Sequence, residues 1–275
     1  MSERLTATCD AFSVEVGALR SGDRELQVGV VFAPGGTVDR ATTELRLFAR
    51  KHTGVLRVAD SWDTEAAVPG TKAVLERGET GVLRFTRPIP SFVTAFRGAG
   101  LEIAVVLVTE GEDGSRLVLA LEPPPIAADA RLVVRGLPFS QALSYGLVGR
   151  LIRRHPPMAT FEEMPDGSIA IAVEAAGSMT GGRVRVEALE YERDHGKHFD
   201  WAPVVAVEAA LVRVDPGQLR AEVRLPEATA APASIECSWA SRTQGIRWLA
   251  RFELDNKPGK AIRVVVPIHV GVERS

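Results

Sequence analysis

Hydrophobic and polar residues alternate along most of this chain. In RVRVEALEY (183–191), Val184, Val186, Ala188 and Glu190 fall on one side of an extended backbone; Arg183, Arg185, Glu187 and Leu189 fall on the other. A period of two is the mark of a strand with one wet face. Partial alternation with many β-branched residues recurs in ELQVGVVF (25–32), TTELRLFAR (42–50), GVLRFTRPIP (81–90), LEIAVVLVTE (101–110) and SRLVLALE (115–122). It returns in SIAIAVEA (168–175), VVAVEAALVRV (204–214), LRAEVRLPE (219–227), IRWLARFEL (246–254) and IRVVVPIHV (262–270). Turn signals separate the runs: APGG (33–36), EGEDG (110–114), DPG (215–217) and DNKPGK (255–260). Many short strands with regular turns predict an all-β chain of sandwiches.

One segment departs from this period. In LPFSQALSYGLVGRLIRRHPP (137–157), Leu143, Leu147 and Leu151 recur every four residues, with Val148 and Ile152 beside them. That spacing predicts a short amphipathic helix. Ser140 caps its start, Arg150, Arg153, Arg154 and His155 suit its negative end, and Pro156 and Pro157 stop it. The expected role is a linker packed on a sandwich. The alternatives are a helix that docks a partner through its arginines, or one that lies on a membrane surface (140–155).

The two halves repeat an order of elements. The first runs SGDRELQVGVVF, a loop, then TTELRLFAR; the second runs TGGRVRVEALEY, a loop, then VVAVEAALVRV. Further on, LRFTRPIPSF and GLEIAVVLVTEGEDGSRLVLALEPPPI find counterparts in VRLPEATAAPASIECSW and GIRWLARFELDNKPGKAIRVVVPIHV. The expectation is two copies of one sandwich: residues 1–130, a linker at 131–157, and residues 158–275.

Composition narrows the function classes. The chain has 275 residues, 45% hydrophobic and 25% charged, with a formal net charge of −2. That balance carries no whole-chain footprint for nucleic acid. Two cysteines, Cys9 and Cys237, make neither a disulfide framework nor a thiolate metal site and are expected as free thiols. The opening MSERLTATCDAF lacks a basic stretch followed by an apolar one, and no apolar run approaches the length of a membrane span. A soluble, cytoplasmic protein is expected.

LERGETGVLRFTRPIPSF and GAGLEIAVVLVTEG, within 75–111, carry a family resemblance: Gly78, Phe85, Pro88, Pro90, Ser91, Gly98 and Ile103 fall at comparable places in a stretch of the arrestin fold. The tyrosine usual there is replaced by Val105. The second half offers Leu225, Pro226, Ser234 and Ile246-Arg247-Trp248. The chain thus resembles the bacterial branch of the arrestin-like clan, which includes sporulation-control proteins, and more distantly the Vps26 subunit of retromer. The resemblance implies two tandem immunoglobulin-like, arrestin-type β-sandwiches that work by binding protein partners, as an adaptor or scaffold within a larger assembly. It carries over no functional residue.

Metal-ligand chemistry crowds only into YERDHGKHFDW (191–201), where Asp194, His195, His198 and Asp200 lie together. Zinc needs three or four such ligands with a supporting second shell. Because two strands flank the segment and Gly196 suits a turn, the expected form is a hairpin tip, available for partner contact through His195, His198 and Trp201. A metal-binding module or metal-dependent hydrolase built on 194–200 is the alternative. No nucleophile elbow and no phosphate loop is present. Ser91 and Ser234, each following a proline-containing stretch, read as features of the fold. The reading is therefore non-enzymatic, with no cofactor. Partner contacts are expected at sheet edges and loops, including WDTEAAVPGTKAV (62–74) with Trp62 at its start.

Overall fold

The computed structural model describes residues 4–20, 23–51, 64–68, 71–77, 80–84, 96–98, 100–122, 126, 128–143, 156–174, 179–239, 242–256 and 261–274. Among them every regular element is a β-strand. The chain divides into two compact units. The first comprises residues 1–127, 192–198 and 237–245; the second comprises 128–191, 199–236 and 246–275.

In the first unit, β1 (Arg4–Thr8), β2 (Phe12–Gly17), β3 (Glu25–Phe32) and β7 (Thr80–Arg84) form a four-stranded sheet in the order β1-β2-β3-β7. A second sheet runs from β10 (Arg116–Ala120) through β9 (Leu101–Gly111) to β4 (Arg40–Lys51). Along β4 lie β5 (Thr64–Ala67) and β6 (Ala73–Glu76), and β8 (Phe96–Arg97) pairs with β9. The period of two explains why these sheets stack. Phe12, Val14 and Val16 of β2 and Leu26, Val28, Val30 and Phe32 of β3 are all buried. They share one core with Ala41 and Leu45 of β4 and Leu107 of β9. This unit is a β-sandwich. Its core tolerates Thr43 and Thr109 because the two are register partners whose Oγ1 atoms lie 3.1 Å apart and satisfy each other. The continuous apolar run in β9 has a second use: Val106 and Val108 pack with Phe48 in a separate buried group.

Two expectations are corrected here. Within the expected loop 62–74, Thr64–Ala67 and Ala73–Glu76 are strands that both pair with β4. Thr71 between them is buried, accepting a hydrogen bond from Leu45 N and donating to Val68 O. Its alanines and glutamates are weak strand formers, but a twelve-residue β4 offers enough free backbone to recruit both pieces. The first-half loop that the repeat sets against the histidine loop, APGGTVD (33–39), joins strands of two different sheets, because β3 and β4 are not neighbours.

The second half of the chain builds one nine-stranded sheet. Its path is β12 (Phe139–Ala142), β13 (Met158–Glu163), β14 (Ile169–Glu174), β17 (Gln218–Val223), β16 (Lys197–Asp215), β15 (Met179–Asp194), β19 (Arg242–Asn256) and β18 (Ile235–Trp239). A ninth strand, β20 (Ile262–Ile268), pairs with β19, and β11 (Ala130–Val134) pairs separately with β21 (Val270–Arg274). The nine-stranded sheet folds over on itself. Along the path β13 and β19 are five pairings apart, about 24 Å if the sheet lay flat. Yet the rings of Phe161 in β13 and Phe252 in β19 lie 6.0 Å apart, nearly perpendicular. Trp248 is buried in the same strand as Phe252 and donates its indole N–H to Pro232 O at 3.0 Å.

The linker helix is also corrected where it is described. Its expected start is β12: Phe139 stacks on Phe161 with ring centroids 4.6 Å apart, and the Ser140 and Thr160 hydroxyls lie 3.0 Å apart. Ser140 is a cross-strand partner, not a helix cap, because Phe139 gains a buried aromatic face that a helical turn would forfeit. The remainder of that helix, 144–155, lies outside the described residues. Ser234 is occupied by the fold: its N–H donates to Val270 O and its Oγ accepts from Val270 N.

Candidate functional site

Trp62, Arg150, Arg153 and Arg154 lie outside the described residues. The backbones of His198, Asp200 and Trp201 belong to β16, and their side chains fall outside the description. Asp194 and His195 remain. β15 ends at Asp194 and β16 begins at Lys197, so His195-Gly196 is the whole connection. Both residues hold positive φ, 46° and 78°. That is the two-residue hairpin turn whose twist matches its strands. His195 Nδ1 lies 2.7 Å from Asp194 Oδ1, and the imidazole is 79% exposed. The structure brings these two candidates together. Among the described residues no three His, Cys, Asp or Glu side chains gather as a metal site. Neither Cys9 nor Cys237 is in a disulfide; Cys237 is buried and donates to Leu47 O.

Charged side chains form a ladder on the outer face of the second unit. Arg263 and Arg183 both donate to Glu253, and Arg183 Nη1 lies 3.5 Å from Glu208 Oε1. The hydrogen bonds from Arg263 and then Arg183 hold the Glu253 carboxyl below the usual carboxylate range, and Glu253 raises Arg183 in turn. Arg251 and Arg185 flank Glu187, which is buried. Each guanidinium here already has a carboxylate, so the ladder reads as cross-strand support for the sheet.

A shallow groove of about 560 Å3 lies on the outer face of β13, β14, β17 and β16, all within the second unit. Register explains its shape. Thr160 pairs with Ala172 and Glu162 with Ala170; across β14, Ala172 pairs with Arg220 and Ala170 with Glu222. Ala170 and Ala172 end at Cβ, so they floor a trough between taller rows on β13 and β17. Arg220 Nε donates to Gln218 Oε1 within one row, and Val212 lies beside Arg220. Val212 and Val214 are more than half exposed, and Met164 is 39% exposed. Exposed apolar side chains thus border the concave surface at both ends, a setting for contact. Hydrogen bonds tie the turn at the trough's end: Asp166 Oδ1 accepts from Ser168 N and Oγ, and Asp166 Oδ2 from Arg224. These bonds, led by the one from Ser168 N, lower the Asp166 pKa.

The groove was not foreseen from the sequence. Its signal is present in SIAIAVEA and AVEAALVRV, where alanine occupies positions on the wet face. Alanine on a wet face means little until register sets it between glutamates. No protein-family model and no curated protein matches this chain. Among the described residues no helix is long and apolar enough to cross a membrane.

Proposed function

We propose that this chain is a non-enzymatic, arrestin-like adaptor or scaffold of the cytoplasm, with two tandem sandwich domains, that binds another protein as part of a larger assembly. The observation that carries this reading is the open outer face of the second unit. Val212, Val214 and Met164 are exposed there beside an alanine-floored groove. A broad, shallow face with apolar contacts suits a protein surface; a small substrate is normally enclosed on most sides. The resemblance of the sequence to the arrestin fold points the same way, although fold alone does not give function. The test is cross-linking in cells followed by mass spectrometry. A stoichiometric protein partner is expected, cross-linked to the second unit. Recovery of no stoichiometric partner from native lysate, with the protein folded, overturns the reading.

A further inference from the structure

We infer that the alanine-floored trough over β14 docks an extended segment of a partner protein that presents a lysine or arginine between Glu162 and Glu222. The inference rests on the partner-binding reading and specifies the chemistry of the partner.

The register places Glu162, Ala170 and Glu222 in one row across three adjacent strands, on the outer face. The two glutamates are two strand spacings apart, about 10 Å, with only a methyl group between them. Both are exposed, and neither makes a hydrogen bond or ion pair among the described residues. Of the nearby guanidinium groups, Arg224 pairs with Asp166 and Arg183 with Glu253 and Glu208, while Arg220 is turned along its own strand to the neutral Gln218. A third carboxylate, Glu174, is exposed in the adjoining row as the register partner of Gln218. Arg220 also lines the trough, but Glu162, Glu222 and Glu174 outnumber it, so the surface there carries excess negative charge.

A lysine or arginine side chain laid over Ala170 brings its aliphatic stem onto the methyl floor and its charged head between two flexible carboxylates. In an extended segment, apolar residues two or more positions away on the same face meet Met164 at one end and Val212 on the far row. An acidic segment meets like charge on both walls, and a purely apolar one leaves the two carboxylates facing it unpaired.

The test uses the full chain and two short fluorescein-labelled peptides of alternating valine and threonine, one with lysines at alternate charged positions and one with glutamates. Binding is read by fluorescence polarisation at low and moderate salt. The lysine peptide is expected to bind and the glutamate peptide not to. Glu162→Gln with Glu222→Gln is expected to weaken the lysine peptide by roughly tenfold or more. Ala170→Leu, which fills the trough without changing charge, is expected to weaken it similarly. Ala172→Val serves the same purpose if the Ala170 variant does not fold, as judged by circular dichroism. No binding of the lysine peptide, or binding that ignores the filled trough, overturns the inference. Cross-links from a stoichiometric partner that all map away from the trough leave the adaptor reading standing and remove this one. A lysine peptide that docks in the trough while cells yield no partner does the reverse.

Discussion

The contact between Phe161 and Phe252 tests the fold-over of the long sheet. Both rings are 1% exposed. Replacing a buried phenylalanine by alanine costs about 3–5 kcal/mol. Phe161 also stacks on Phe139 and meets Phe252 edge-on, contacts worth about 0.5–1.5 kcal/mol each beyond buried area. Phe161→Ala is therefore expected near the upper end, about 4–5 kcal/mol, a large share of a domain's usual stability. The sharper measurement is the double-mutant cycle with Phe252→Ala. Rings 6.0 Å apart should couple by about 0.5–1.5 kcal/mol. Rings on a flat sheet, about 24 Å apart, should add independently, within about 0.3–0.5 kcal/mol. Urea unfolding followed by tryptophan fluorescence reads the transition, since Trp248 is buried in the strand that carries Phe252. Calorimetry identifies which unit melts. If the alanine variants do not fold, leucine variants run the same cycle, because leucine keeps most of the volume and removes the ring contact. A coupling below about 0.3 kcal/mol refutes the folded sheet.

Three further perturbations probe local devices. Gly182 holds φ 153° with the Glu253 and Leu254 backbone against it, so Gly182→Ala should cost about 2 kcal/mol or more; Gly29→Ala, whose new carbon meets only contacts at 3.9 Å, should change the melting temperature little. His195→Asn should stabilise the hairpin by a few tenths to about 1 kcal/mol, since Asn-Gly is the favoured pair for this turn; a measured loss of stability argues against the positive-φ turn. Asp113 and Asp166 sit in matching turns, GEDGS and MPDGS, each carboxylate accepting from the backbone N–H and hydroxyl of the serine two residues on. Ser115 lowers the Asp113 pKa chiefly through its hydroxyl, and Ser168 lowers that of Asp166 chiefly through its N–H. With folded values below unfolded ones, their contribution is present above the unfolded value of about 4 and lost as pH falls through the folded value. Asp113→Asn with Asp166→Asn should lower stability at neutral pH and flatten the decline in acid; an unchanged acid limb counts against the turns.

Much of the fold was legible because strands announce themselves locally. ELQVGVVF coincides with β3, and LEIAVVLVTE with β9 to within a residue. Several strands were missed: RLTAT (β1) and the regularly alternating FSVEVG (β2) were given no element, and TEAA (β5) and FSQA (β12) were read as loop and helix. Short segments such as the last two carry too few residues for a period to show, and a neighbouring strand imposes their conformation. RDHGKHF was legible as a hairpin tip because two strong strands bracket a glycine. The groove was not, because each of its residues is ordinary within its own strand.

The sequence by itself determined which face of each strong strand is apolar and where the chain turns. Side-chain period and turn chemistry are properties of a few consecutive residues. Only the tertiary structure decided which strands pair, that two sheets close the first unit while one folded sheet serves the second half, and that Glu162 and Glu222 flank Ala170. The hydrogen bonds that join strands are made by backbone groups every residue carries, so partner and register follow from packing across the whole core.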